Sequence, residues 1–146
     1  MLAQGLIPWA EEAARLALMA YPDHAEVGLM LAAISLSEGR IAEARREAEA
    51  ALLRMPRDPV AWSTVAHVRW EAGDAEAAIE AGQESLRLAP LDLPTRLRQV
   101  GWLLEVGRAA EAVRLVEPLA RLWPEDALIA AIRRDAQAAL AAERAR

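Results

Sequence analysis

The chain has no cysteine, no lysine, no asparagine and no phenylalanine, and a single tyrosine. Without cysteine there is no disulfide, no thiolate nucleophile and no cysteine-ligated metal, and the redox compartment stays undecided. All 17 basic residues are arginine. The missing lysine, asparagine and phenylalanine share AT-rich codons, so a GC-rich bacterial genome is the simplest source. Aromatics make up only 4% of the chain, while the apolar fraction of 55% is largely alanine. Alanine is the best helix former and fills little volume, so closely packed helices are expected rather than sheet.

Long apolar runs are missing too. The longest uncharged stretch, VGLMLAAISLS at 27–37, falls short of the roughly 20 residues that span a bilayer. The opening MLAQGLIPWAEE lacks a basic region and meets Glu11 and Glu12 early, unlike a signal peptide. A soluble, cytoplasmic protein without membrane insertion is expected. His24 and His67 are the only histidines, and no carboxylate stands near either at metal-ligand spacing. There is no nucleophile elbow, P-loop or dinucleotide glycine pattern. Catalytic residues, cofactor and metal are therefore all expected to be none.

Net charge is −5, which argues against nucleic acid as a partner. The charge is uneven. Residues 1–92 hold 15 acids and 8 arginines, whereas residues 93–146 hold 7 acids and 9 arginines. The two segments thus carry −7 and +2.

What the chain does contain is a repeat. SEGRIAEARREAEAALLRMP (37–56), EAGDAEAAIEAGQESLRLAP (71–90) and EVGRAAEAVRLVEPLARLWP (105–124) share one plan at a period of 34 residues. Glycine recurs at Gly5, Gly39, Gly73 and Gly107, and alanine at Ala10, Ala44, Ala78 and Ala112. Proline recurs at Pro22, Pro56, Pro90 and Pro124, and aspartate at Asp58, Asp92 and Asp126. The glycine suits the left-handed turn that ends one helix, and the proline stops the next. The aspartate is placed to cap the helix after that. Alanines such as Ala66 and Ala78 allow two helices to approach closely.

The unit resembles the tetratricopeptide repeat (TPR), whose pattern runs W-x2-L-G-x2-Y, then A-x3-F, then P. Residues 59–92 match best through Trp62, Val65, Ala66, Ala78 and Pro90, with Arg69 and Gly82 replacing two aromatics. Repeat 25–58 carries Leu31, Ala32, Ala44, Ala51 and Pro56, with Gly28 in the Trp column. Repeat 93–126 has Arg96 in that column and Gly101 one place late. The resemblance implies an all-α, right-handed α-solenoid of helix-turn-helix repeats in a single domain, 1–146. Its expected parts are a half repeat at 5–24, repeats 25–58, 59–92 and 93–126, and a C-terminal capping helix at 127–146. Gly5 is expected at a turn, with the first helix at about 7–20 and the last at about 127–145. Seven or eight helices are expected, eight only if Pro118 splits the helix at 109–122.

In this family the first helices of successive repeats line a concave groove. By column, the resemblance places Leu29, Ala33 and Leu36 there, with Glu26 beside them. Val60, Ser63, His67 and Trp70 follow, with Glu71, and then Leu97, Arg98, Gly101 and Leu104, with Glu105. Such a wall suits an amphipathic helix or an extended apolar peptide; the plainer reading is that Leu29, Leu36 and Leu104 pack on neighbouring helices. Trp62 is expected to be the more buried tryptophan and Trp70 the more exposed. A peptide-carboxylate clamp known in the family finds only Arg98 among its columns, so that mode is not expected. Glu76, Glu80 and Glu84 form an acidic stripe, read as a solvated face, and Trp9 and Trp123 lie near the two ends.

The function expected is a non-enzymatic scaffold for a protein or peptide. The alternatives are a homo-oligomeric self-assembly module, with end helices pairing head to tail or as a two-fold dimer, and a regulatory segment of a larger enzyme.

Overall fold

The computed structural model describes residues 2–146, with side chains described from Pro8 onward. Among the described residues there are eight helices and no strand. They are α1 (Leu2–Ala20), α2 (Ala25–Ser37), α3 (Ile41–Arg54), α4 (Pro59–Glu71), α5 (Ala75–Leu88), α6 (Leu93–Glu105), α7 (Ala109–Leu122) and α8 (Ala127–Arg144). The chain forms two compact units, residues 1–88 with α1 to α5 and residues 89–146 with α6 to α8. Within the first, α2 packs on α3 and α4 on α5, α4 also contacts α2 and α3, and α1 lies against α2. Within the second, α7 packs on both α6 and α8.

The turn glycines behave as their column demands. Gly39, Gly73 and Gly107 have φ of 75°, 86° and 75°, and no other described residue has positive φ. Each sits in a doubly bonded helix end. The Arg40, Asp74 and Arg108 amides donate to Ser35, Arg69 and Leu103 carbonyls, and the glycine amides to Leu36, Trp70 and Leu104. This is the Schellman arrangement, which satisfies carbonyls a helix end would otherwise leave open.

Alanine fills the helix interfaces: Ala44, Ala66, Ala78 and Ala112 are all fully buried. Around them Leu31, Val65, Val68 and Ile79 close the core of the first unit, and Val100, Leu103, Val116 and Leu119 that of the second. Ser35 and Ser85 are buried with partners, the Glu47 carboxylate at 3.0 Å and the Pro59 carbonyl at 2.8 Å.

Three expectations are corrected. Gly5 is not at a turn, because α1 runs through it from Leu2, and glycine permits a left-handed turn without requiring one. Pro118 does not split α7, which is continuous from Ala109 to Leu122, so eight helices arise without a break. Pro118 is exposed while Val116 and Leu119 are fully buried. Water can therefore satisfy the Arg114 carbonyl that loses its amide partner, while the buried neighbours keep the helix continuous. Finally, Asp58 accepts from the Val60 and Ala61 amides at 2.7 and 3.0 Å and Asp126 from the Ile129 amide at 2.9 Å, but Asp92 caps no amide. Pro94 removes the donor equivalent to that of Val60, and the Asp92 carboxylate accepts the Thr95 hydroxyl instead.

Candidate functional site

In the first unit the neighbouring faces of α2 and α4 form two shallow cavities. One, of about 350 Å³, is lined by Glu26, Leu29, Met30, Ala33, Val60 and Thr64, with Asp58. The other, of about 370 Å³, is lined by Ala33, Leu36, Ser37, His67 and Glu71. Ala33 belongs to both, so the two form a row along the α2 face. Leu29, Ala33, Leu36, Val60 and His67 are thus brought together.

Their environments differ. Leu29 is buried and packs with Ala25, Ala51 and Ala61, so it forms the floor rather than a free contact. Ala33 and Val60 are exposed, and Leu36, Ser63, His67 and Trp70 are half-buried. The chemistry grades along the row, from Leu29, Met30 and Val60 to His67, whose Nε2 lies 3.8 Å from the Glu71 carboxylate. Ser63 and Trp70 line neither cavity. Trp62 and Trp70 are both half-buried. Trp62 is fixed by its indole N–H, which donates to the Pro56 carbonyl at 2.9 Å.

In the second unit Leu97, Arg98 and Leu104 are half-buried and Gly101 is exposed. The Arg98 guanidinium stands 5.8 Å from the centroid of the Trp102 ring, within cation–π range. Burial holds the Arg98 pKa below the usual guanidinium value, although the Asp92 charge opposes this. An arginine stacked this way presents an edge of donors to a carboxylate or a carbonyl.

Met30 stands outside the family columns altogether, and Thr64 falls in a column of the carboxylate clamp rather than of the groove. Their signal was present, since Met30 stands three residues before Ala33 and Thr64 four after Val60, both on the same helix faces. Within the acidic stripe Glu84 pairs with Arg87 of the same helix at 2.5 Å. Among the described residues no group of side chains is arranged to hold a metal ion, and no helix is long and apolar enough to cross a membrane.

Comparison with known proteins agrees on the fold. The family model described as tetratricopeptide repeat matches residues 1–68. No curated protein matches by sequence. Among solved structures, a chain of the Naa15/Naa10 complex bound to HypK-THB superposes with a TM-score of 0.76 at 19% identity. The match covers 90% of this chain and 20% of that one, so the present chain spans about a fifth of its length. The MamA protein superposes with a TM-score of 0.73 at 16% identity, covering 94% of this chain and 81% of that one. A thermophilic TPR protein from Thermus thermophilus does so with a TM-score of 0.74 at 20% identity, covering 95% and 75%. At such identities the likeness shows the fold alone. Three glycine turns at one period, the family match over residues 1–68 and these superpositions all point to one architecture, the helix-turn-helix solenoid of the tetratricopeptide repeat.

Proposed function

We propose that the chain is a non-enzymatic scaffold that holds a segment of another polypeptide in a concave, largely apolar groove, with the α2/α4 row as its main contact. The observation that carries this reading is the α2/α4 row, where Leu29, Met30, Ala33 and Val60 give an apolar stretch ending at His67 and Glu71. Alternating apolar and polar surface over two neighbouring helices suits an extended or helical peptide with an apolar stripe and one polar end. A row set on packed helices loses little entropy on binding. The Leu97, Arg98, Gly101 and Leu104 face of α6 is proposed as a second contact surface, with Arg98 as its charged group. The Naa15/Naa10 chain, solved bound to HypK-THB, shows that a chain of similar fold occurs in an assembly of proteins.

The test is peptide selection from a displayed library against the wild-type protein. Selected peptides should lose binding to Ala33→Arg and to Val60→Glu, both exposed positions, while the melting temperatures of the variants stay close to wild type. Peptides that bind both variants as well as wild type would place the contact elsewhere.

A further inference from the structure

One column of the repeat is filled in two units and vacant in another. In the second repeat the Trp62 indole N–H donates to the Pro56 carbonyl at 2.9 Å. In the third, Arg96 stands 34 residues on and its guanidinium donates to the Pro90 carbonyl and, at 3.1 Å, to the Leu115 carbonyl. Both side chains do one job: they cross from the first helix of a repeat to the proline that ends the preceding helix. The first repeat has Gly28 at this position, and Gly28 and Pro22 line one cavity. Gly28 brings no side chain to that proline, and a cavity of about 340 Å³ lies there.

The walls are Leu18, Pro22, Ala25, Gly28, Ala50 and Ala51. The polar part of the lining is largely matched within the chain. Arg54 pairs with Asp23, and Glu47 accepts the Ser35 hydroxyl and lies 3.9 Å from Arg15; Arg46 is the remaining charged group. The vacancy therefore asks for a neutral, flat apolar group rather than an ion. An apolar cavity can take up a small aromatic molecule. A Cβ on Gly28 would sit 3.5 Å from the Ala51 Cβ and 3.7 Å from the Glu47 carbonyl oxygen, which is ordinary contact. The backbone is thus already placed as it would be under a side chain.

We propose that this cavity is a binding pocket for an indole ring, supplied by a tryptophan side chain of a partner polypeptide, with the indole N–H directed to the Pro22 carbonyl. The pocket shares none of its lining residues with the α2/α4 row, so it stands whether or not that row binds a peptide.

The probe is N-acetyltryptophanamide, titrated into the full chain and followed by backbone amide NMR shifts, which the five tryptophans of the protein do not obscure. Saturable shifts centred on Gly28 and Ala51 are expected, with weak affinity for so small a probe. The 1-methylindole analogue should bind at least several-fold more weakly, because it lacks the N–H. Gly28→Trp should fill the pocket from within, raise the melting temperature and abolish the shifts; Gly28→Leu, a smaller filler, should weaken binding and guards against a misfolded tryptophan variant. N-acetylalaninamide should leave the amides unmoved. No saturable shift at these residues, or equal binding to a folded Gly28→Leu protein, would overturn the proposal. Free indole binding while N-acetyltryptophanamide does not would overturn the polypeptide source, and equal binding of the methylated analogue would overturn the Pro22 hydrogen bond.

Discussion

Glycine does opposite work at different places in this chain. At Gly73, φ is +86° and an added Cβ would meet nothing within 4 Å, so Gly73→Ala isolates the backbone cost of a left-handed conformation. That cost is about 1–2 kcal/mol for a residue with a Cβ. Gly101 lies inside α6 without positive φ, again with open space around a Cβ. There Gly101→Ala should stabilise by up to about 1 kcal/mol, from helix propensity alone. Urea unfolding of the two variants should therefore move in opposite directions, and a shift of the same sign in both would refute the assignment of the turn. The aspartate column divides similarly. Asp58→Ala should cost about 1 kcal/mol by removing a carboxylate that takes two amides, and Asp92→Ala distinctly less, since that carboxylate caps no amide. The positive φ at Gly73 could be read from its period, because only a helix end demands glycine there. The failure of Asp92 was written in Pro94, whose missing amide outweighs the column.

Between elements, the same contest between pattern and context decides Pro118 and α8. Proline inside a helix costs about 3 kcal/mol relative to alanine, yet α7 is unbroken. Pro118→Ala should stabilise the chain by about 1–3 kcal/mol on denaturant unfolding; no gain would mean that the helix had adjusted fully to the ring. Sequence alone left a split at Pro118 open because it shows the lost hydrogen bond but not the burial of Val116 and Leu119 on either side. The α7–α8 pair has its own electrostatic tie. Glu117 on α7 accepts from Arg133 at 2.9 Å and Gln137 at 3.0 Å on α8. The Arg133 hydrogen bond, foremost, holds the Glu117 carboxyl below its ordinary pKa. A carboxylate with a lowered folded pKa contributes stability that is complete above the unfolded value, about 4.3, and is lost as pH falls through the folded one. Melting temperature should therefore drop as pH falls below the unfolded value, and Glu117→Gln should flatten part of that drop while destabilising at pH 7. An unchanged pH profile in the variant would show that the pair contributes nothing. At the far end of the same helix pair, the Glu143 carboxylate of α8 accepts the Ala109 amide at 3.3 Å, placing a negative charge at the start of α7 where the helix dipole favours it.

For the molecule as a whole, the repeat was legible because each column has a mechanical duty, while the proposed binding surface was only partly so. Periodicity names the helix face but not which residues on it stay open, which is why Leu29 forms a floor and Met30 had to be seen in place. The two end helices also differ in a way that composition concealed. On α1, Trp9 is 77% exposed, Leu16 56% and Met19 80%, and their spacing of seven and three residues puts them on one helix face. On α8 the exposed positions are mainly polar or alanine, including Arg133, Arg134, Asp135 and Gln137, with Leu128 the one large apolar side chain among them. Head-to-tail pairing of α1 with α8 would set an apolar stripe against a charged face, and the attraction between the −7 and +2 segments steers association more than it holds it. Two α1 stripes facing each other match like with like, as a two-fold interface requires. Self-association, tested by sedimentation at several protein concentrations, is accordingly expected to stop at a weak dimer that strengthens or stays constant in high salt. Trp9→Arg with Met19→Arg should leave only monomer, while Arg133→Glu should leave the dimer intact. Growth beyond a dimer, dissociation by salt, or a monomer at every concentration would each count against pairing through α1.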